Sequence, residues 1–95
     1  MSIKISDLEN LVERINDASG NTHTTWERDG AGVLKSNIGN YHLDGAYGGW
    51  ALHQIMNESG GVHDIFHGHY TKKELYWKMQ AFLLGMRQAE EGNRK

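Results

Sequence analysis

The chain has 95 residues, enough for one domain and too few for two, so we expect a single domain over residues 1–95. The sequence contains no Cys, which excludes a disulfide framework and any thiolate zinc site. With 10 basic and 12 acidic residues the net charge is −2, and this balance gives no indication of a nucleic-acid-binding surface.

Hydropathy indicates a folded protein that does not associate with membranes. Apolar residues make up 38% of the chain and are spaced with the periods of helices and strands, which is typical of a chain with a packed core. No segment approaches the roughly 20 apolar residues that a membrane helix needs. The N-terminal segment MSIKISDLEN lacks the apolar core of a signal peptide. We therefore expect a cytoplasmic protein.

The first predicted helix begins at a capping box, with Ser6 as N-cap and Glu9 three residues later. Apolar residues then follow with the i, i+3, i+4, i+7 spacing of one buried stripe. These residues are Leu8, Leu11, Val12 and Ile15. Gly20 is the predicted C-terminal stop of this helix.

The middle of the chain predicts a three-stranded antiparallel meander. Thr22–Arg28 is rich in β-branched and aromatic residues, and Asp29-Gly30 is a hairpin-type turn. Val33–Ile38 returns as the second strand. After a break at Gly39-Asn40, Tyr41–Leu43 is the short third strand.

The second predicted helix covers Ala46–Asn57, because Leu52, Ile55 and Met56 share one helical face. Gly60-Gly61 ends it, and a link from residue 62 to residue 70 leads to the last helix.

The third predicted helix begins at a second capping box, formed by Thr71 and Glu74. Its core stripe consists of Leu75, Met79, Phe82, Leu83 and Met86. We expect residues 90–95 to form a frayed tail. The predicted fold class is therefore α+β, with an N-terminal helix, a three-stranded antiparallel sheet and two C-terminal helices.

A second apolar stripe, formed by Trp77, Ala81 and Leu84, lies on the opposite side of the third helix. Two interpretations of this stripe remain open. If the helix is central, both stripes belong to the core. If the helix is peripheral, the stripe is an interface, for which Trp is a favoured anchor. We predict the interface, and with it a homo-oligomer or a bound protein partner.

A histidine-rich loop contains the candidate metal ligands His63, His67 and His69, and His42 or His53 would complete such a site. No HExxH motif is present, and the spacing matches no zinc signature. The alternative is a solvated loop whose polar groups satisfy the backbone. We favour this alternative and predict no metal and no cofactor.

A glycine-rich turn at residues 45–49 is the candidate site for a nucleotide or another anion. Tyr47, Gly48, Gly49 and Trp50 would contact the ligand, and backbone N–H groups at the start of the second predicted helix would bind its charge. The turn matches neither the Walker A pattern nor GxGxxG. The alternative is a tight strand-to-helix turn whose aromatic residues pack on the core.

No Ser lies in a nucleophile elbow, so a Ser–His–Asp hydrolase is the least favoured class. We predict a non-enzymatic binding protein. The competing hypothesis is a protein that binds a small ligand or a metal through the glycine-rich turn or the histidine loop.

The segment from residue 37 to residue 86 contains several short sequence patterns that carry a resemblance to other proteins. They are Tyr41-x-Leu43, Ala46-Tyr47-Gly48-Gly49, Asn57 with Gly60-Gly61, and Thr71-Lys72-Lys73-Glu74-Leu75-Tyr76. In these patterns the segment resembles small accessory proteins of tailed phages and prophages. The resemblance brings no activity and no catalytic residue. It implies a protein of the bacterial cytoplasm that binds a host or phage macromolecule, including a component of host defence.

Overall fold

A computed structural model describes residues 2–92 of the chain. Its elements in chain order are α1 (Ile5–Ser19), β1 (Trp26–Arg28), β2 (Leu34–Ser36), β3 (Tyr41–Ala46), β4 (Gly49–Ile55), β5 (Val62–Asp64) and α2 (Lys72–Gly92). The fold is α+β with a helix at each end and antiparallel sheets, as the sequence predicts. Within the described residues there are two helices rather than three, and five strands in two sheets rather than three strands in one.

The N-terminus of α1 differs from the predicted capping box. The helix begins at Ile5, so Ser6 lies inside its first turn and is not the N-cap. The carboxylate of Asp7 accepts a hydrogen bond from the Lys4 N–H at 2.8 Å and caps the helix instead of Glu9. A carboxylate in the first turn also interacts favourably with the positive end of the helix dipole.

The C-terminus and the buried face of α1 agree with the prediction. Gly20 adopts the left-handed conformation (φ 73°), and its N–H donates to the Asp17 carbonyl at 3.1 Å. Leu8, Leu11 and Ile15 are buried. The apolar spacing of the sequence therefore identified the face of α1 that enters the core.

Tyr41–Leu43 is part of a strand, as predicted, but the predicted meander is wrong because this strand does not pair with β2. β1 and β2 form a two-stranded hairpin, with Trp26 paired to Ser36, and both strands are shorter than predicted. The carboxylate of Asp29 accepts hydrogen bonds from the N–H groups of Ala31 and Val33, at 2.9 and 3.0 Å, and stabilises the connecting turn. β3 belongs to the other sheet, whose order is β3-β4-β5.

The predicted second helix is also wrong, because most of its residues form β4. Leu52, Ile55 and Met56 have helical spacing, but β4 is the central strand of its sheet. Ala51, Leu52 and Ile55 are all buried although they lie on opposite faces of this strand. A strand covered on both faces lacks the alternation that distinguishes strands from helices in a sequence.

The capping box of the last helix is confirmed. The Glu74 N–H donates to Thr71 Oγ1 at 3.2 Å, and the Thr71 N–H donates to Glu74 Oε1 at 3.1 Å. α2 continues through residues 90–92 of the predicted frayed tail, and residues 93–95 lie outside the described part of the chain.

The core lies between the two helices and one face of the β3-β4-β5 sheet. Its buried side chains are Leu8, Leu11, Ile15, Tyr41, Leu52, Leu75, Met79 and Leu83. Phe82 and Met86 are partly buried against this cluster, so all five residues of the predicted α2 stripe contact the core. Neither helix in the described chain combines the length and the apolarity that a membrane crossing needs.

Candidate functional site

The second apolar stripe of α2 lies on the surface. Trp77 and Leu84 are 53% and 57% exposed, and Ala81 between them is also exposed. The opposite side of the helix carries the buried Leu75 and Met79. Helix α2 is therefore peripheral, and its outer face presents large apolar side chains to whatever surrounds the domain.

A shallow groove of about 510 Å³ runs along this stripe. Tyr76, Gln80 and Arg87 line it together with the stripe itself. Tyr76 packs edge-to-face on Trp77 with ring centroids 5.1 Å apart, and its hydroxyl accepts a hydrogen bond from Gln80 Nε2 at 3.0 Å. These contacts fix the aromatic wall of the groove, which is a suitable surface for an apolar ridge of another protein.

The glycine-rich turn is a β-hairpin turn and not the beginning of a helix. Tyr47 and Gly48 connect β3 to β4, and both have positive φ, 53° and 72°, as a two-residue type I′ turn requires. The argument for anion binding at a helix N-terminus is therefore wrong. Tyr47 is 97% exposed, whereas Trp50 is half-buried against the core.

The three histidines of the predicted metal loop do not converge. The rings of His63 and His67 lie 6.0 Å apart, and both residues are exposed. His69 is oriented elsewhere, with its Nε2 hydrogen-bonded to Asp44 Oδ2 at 2.8 Å. In the part of the chain that the structure describes, no three His, Asp or Glu side chains are placed to hold one metal ion.

A cluster of titratable groups lies on the face of the β3-β4-β5 sheet away from the core, and the sequence analysis considered three of its members, His42, His53 and His69, only as metal ligands. His42 and His53 are cross-strand partners, and their rings are 5.7 Å apart. His53 is 6.4 Å from the ring of His69, which contacts Asp44. These four residues come from two strands and a loop, so only the strand register brings them together.

The cluster shifts the pKa of two of its members. The hydrogen bond from His69, helped by the nearby charges of His53 and His42, lowers the pKa of Asp44. Burial lowers the pKa of His42, and the neighbouring His53 lowers it further. His42 Nδ1 is buried and has no hydrogen-bond partner among the described residues, which agrees with a neutral ring. In this cluster, therefore, both His42 and Asp44 bind protons less readily than they would in water.

Comparison of the chain with protein-family models, curated proteins and solved structures gives no match. The argument for function therefore depends on the surfaces themselves.

Proposed function

We propose that this protein is a non-enzymatic binding protein that self-associates through the exposed apolar face of α2. The observation that carries the proposal is the exposure of Trp77 and Leu84, each more than half accessible in the single chain. Contiguous apolar side chains of this size at a surface are typical of interaction sites, and Trp is enriched among the residues that contribute most to binding at such sites.

The spacing of this face fits a second copy of the same helix. Trp77 and Leu84 are seven residues apart, so they lie two turns apart along one seam. In an antiparallel pair related by a two-fold axis, Trp77 of one copy lies level with Leu84 of the other. The same register places Glu74 level with Arg87 of the other copy, which gives two charge-complementary pairs per dimer. This complementarity favours an antiparallel homodimer.

The broader role of such a protein is binding of a host or phage macromolecule in the bacterial cytoplasm, host-defence components included. The resemblance of residues 37–86 to phage accessory proteins supports this context. The resemblance does not identify the binding partner, so the homodimer is the part of the proposal that can be tested directly.

Sedimentation equilibrium of the wild-type chain at tens of micromolar tests the homodimer. We expect a dimer, and we expect Trp77→Ala to weaken association by about 10- to 100-fold. The substitution removes two half-exposed Trp side chains per dimer, and burial of the exposed half of each contributes about half of the 1.5–3 kcal/mol of a whole side chain. Since Trp77 is exposed in the single chain, the melting temperature of the variant monomer should remain within about 3 °C of the wild-type monomer. Ile38→Ala removes an equally exposed apolar residue outside this face and is the matched control.

A charge exchange tests the register. Arg87→Glu should weaken the dimer because it places like charges level with each other, and adding Glu74→Arg should restore association. A chain that stays monomeric at about 100 μM would contradict the homodimer. A dimer that is equally stable in Trp77→Ala and in the wild type would show that another surface forms the interface.

A further inference from the structure

β3 is an edge strand, and part of its outer edge is already occupied. No other strand of the described chain pairs with the side of β3 that faces away from β4. At the start of β3, the Tyr41 N–H donates to Asn16 Oδ1 at 2.8 Å, and Asn16 Nδ2 donates to the Tyr41 carbonyl at 3.0 Å. The buried side-chain amide of Asn16 therefore occupies the place of a peptide group from a further strand.

The strand register shows which backbone groups follow along this edge. Leu43 pairs with Leu52, whose carbonyl accepts a hydrogen bond at 3.0 Å from the chain after β5. Gly45 pairs with Trp50, which exchanges two hydrogen bonds of 2.8 Å with Tyr70. Both β4 residues thus direct their backbone groups away from β3, and in an antiparallel ladder their partners do the same. The N–H and C=O groups of Leu43 and Gly45 therefore point outward.

Leu43 lines a groove of about 410 Å³ between β3 and α1, and Gly45 follows two residues further along the same strand edge. Helix α1 contributes Ile5, Glu9, Val12 and Glu13. Glu9 is three or four residues from each of the others, so the four lie on one side of the helix. Both glutamates are exposed, whereas Ile5 and Val12 are half-buried. Among the described residues that line the groove, the two glutamates are the only Asp, Glu, Lys or Arg side chains, and His23 and His42 also line it.

We propose that this groove binds an extended, basic peptide segment of another protein, which adds to the sheet as a strand beside β3. Main-chain hydrogen bonds to Leu43 and Gly45 hold the segment, and Asn16 marks where it ends. Alternate side chains of the segment point towards α1, where an apolar side chain packs on the half-buried pair and a Lys or Arg contacts the glutamates. The groove shares no residue with the exposed face of α2, so this proposal stands independently of the homodimer.

The binding experiment uses the full-length chain and a blocked peptide, Ac-Lys-Thr-Val-Thr-Lys-NH₂, whose Lys and Val side chains share one face of an extended strand. Isothermal titration and NMR of the protein amides measure its binding. We expect saturable binding, and we expect hydrogen exchange of the Gly45 and Leu43 amides to slow by at least about threefold at saturation. The acidic counterpart, Ac-Glu-Thr-Val-Thr-Glu-NH₂, should bind at least about tenfold more weakly. A basic peptide with an N-methylated valine, which lacks the donor at that residue, should show a similar loss.

Charge reversal in the groove supplies the matched variants. The double variant Glu9→Lys/Glu13→Lys should lose at least about tenfold in affinity for the basic peptide, whereas Glu58→Lys, at an exposed site outside the groove, should change it less than about twofold. The proposal is overturned if the basic peptide does not bind up to about 1 mM. It is also overturned if the N-methylated peptide binds equally well, because the association would then be electrostatic without strand pairing.

Discussion

At the scale of single residues, a polar side chain stabilises this small domain where it takes the place of a backbone hydrogen-bond partner. Asn16 is the clearest case, because it is buried in α1 and its amide makes both hydrogen bonds to the backbone of Tyr41. A buried polar group that makes all its hydrogen bonds stabilises a fold. If the group is removed, the donors and acceptors that it served remain buried without a partner, and this lowers the free energy of unfolding. The contact joins residues that are far apart in sequence, so it fixes α1 on the sheet.

Replacement of Asn16 by Ala should therefore be costly. The Tyr41 N–H and carbonyl would lose their partners in a buried site, and we expect the free energy of unfolding to fall by about 2–3 kcal/mol. Urea denaturation measures this difference. Asn10→Ala, at an exposed position of the same helix, should change stability by no more than about 0.5 kcal/mol. Equal effects of the two substitutions would contradict the role assigned to Asn16.

At the scale of elements, the two turn residues of the β3–β4 hairpin differ in how readily they adopt the positive φ that the turn requires. Gly48 adopts its positive φ of 72° without strain, but Tyr47 at 53° carries a side chain in a left-handed conformation. Asn is the residue with a side chain that best accepts this conformation in a type I′ turn. The hairpin is thus held by its strands and core contacts despite an unfavourable turn residue.

Tyr47→Asn should consequently stabilise the protein. Because Tyr47 is almost fully exposed, little packing is lost, and we expect a gain of about 0.5–1 kcal/mol in the free energy of unfolding. Gly48→Ala should act in the opposite direction by about 1 kcal/mol, since Ala disfavours positive φ. Thermal and urea denaturation of both variants provide the comparison. Destabilisation by Tyr47→Asn would indicate that the ring makes a contact that matters more than the backbone strain.

At the scale of the whole molecule, the cluster on the outer sheet face couples stability to pH. The pKa of His42 is lowered from its ordinary value of 6.5 by burial and by His53. The unfolded chain therefore binds a proton at this residue more readily than the folded chain does. The pKa of Asp44 is lowered from 3.8, chiefly by the hydrogen bond from His69, and its effect has the same sign. Both contributions are present at neutral pH and are lost as the pH falls.

We expect the free energy of unfolding to decrease as the pH drops below 6.5, and to decrease again below 3.8 as Asp44 is protonated. Urea denaturation at intervals from pH 7.5 downward measures both steps. His42→Gln should flatten the first step, and His63→Gln, which removes an exposed histidine of the same sheet, is the matched control. An unchanged slope in His42→Gln would contradict the assignment to His42.

The sequence by itself determined the features that depend on local chemistry. The apolar spacing identified the buried faces of α1 and α2, Gly20 identified the end of α1, and Thr71 with Glu74 identified the beginning of α2. These features arise from contacts within a few residues, so a sequence pattern contains all the information they need. The α+β class follows from the same local patterns.

Only the tertiary structure decided the features that depend on what covers a segment. Residues 49–55 form a central strand because the rest of the fold buries both of its faces, and that burial removes the alternation by which a strand is recognised. The cluster of His42, Asp44, His53 and His69 depends on strand register, which is a non-local property. The stripe of Trp77 and Leu84 is exposed because the core of a chain this small fills only one side of α2. The spacing that identifies the buried side does not show whether the opposite side is covered as well.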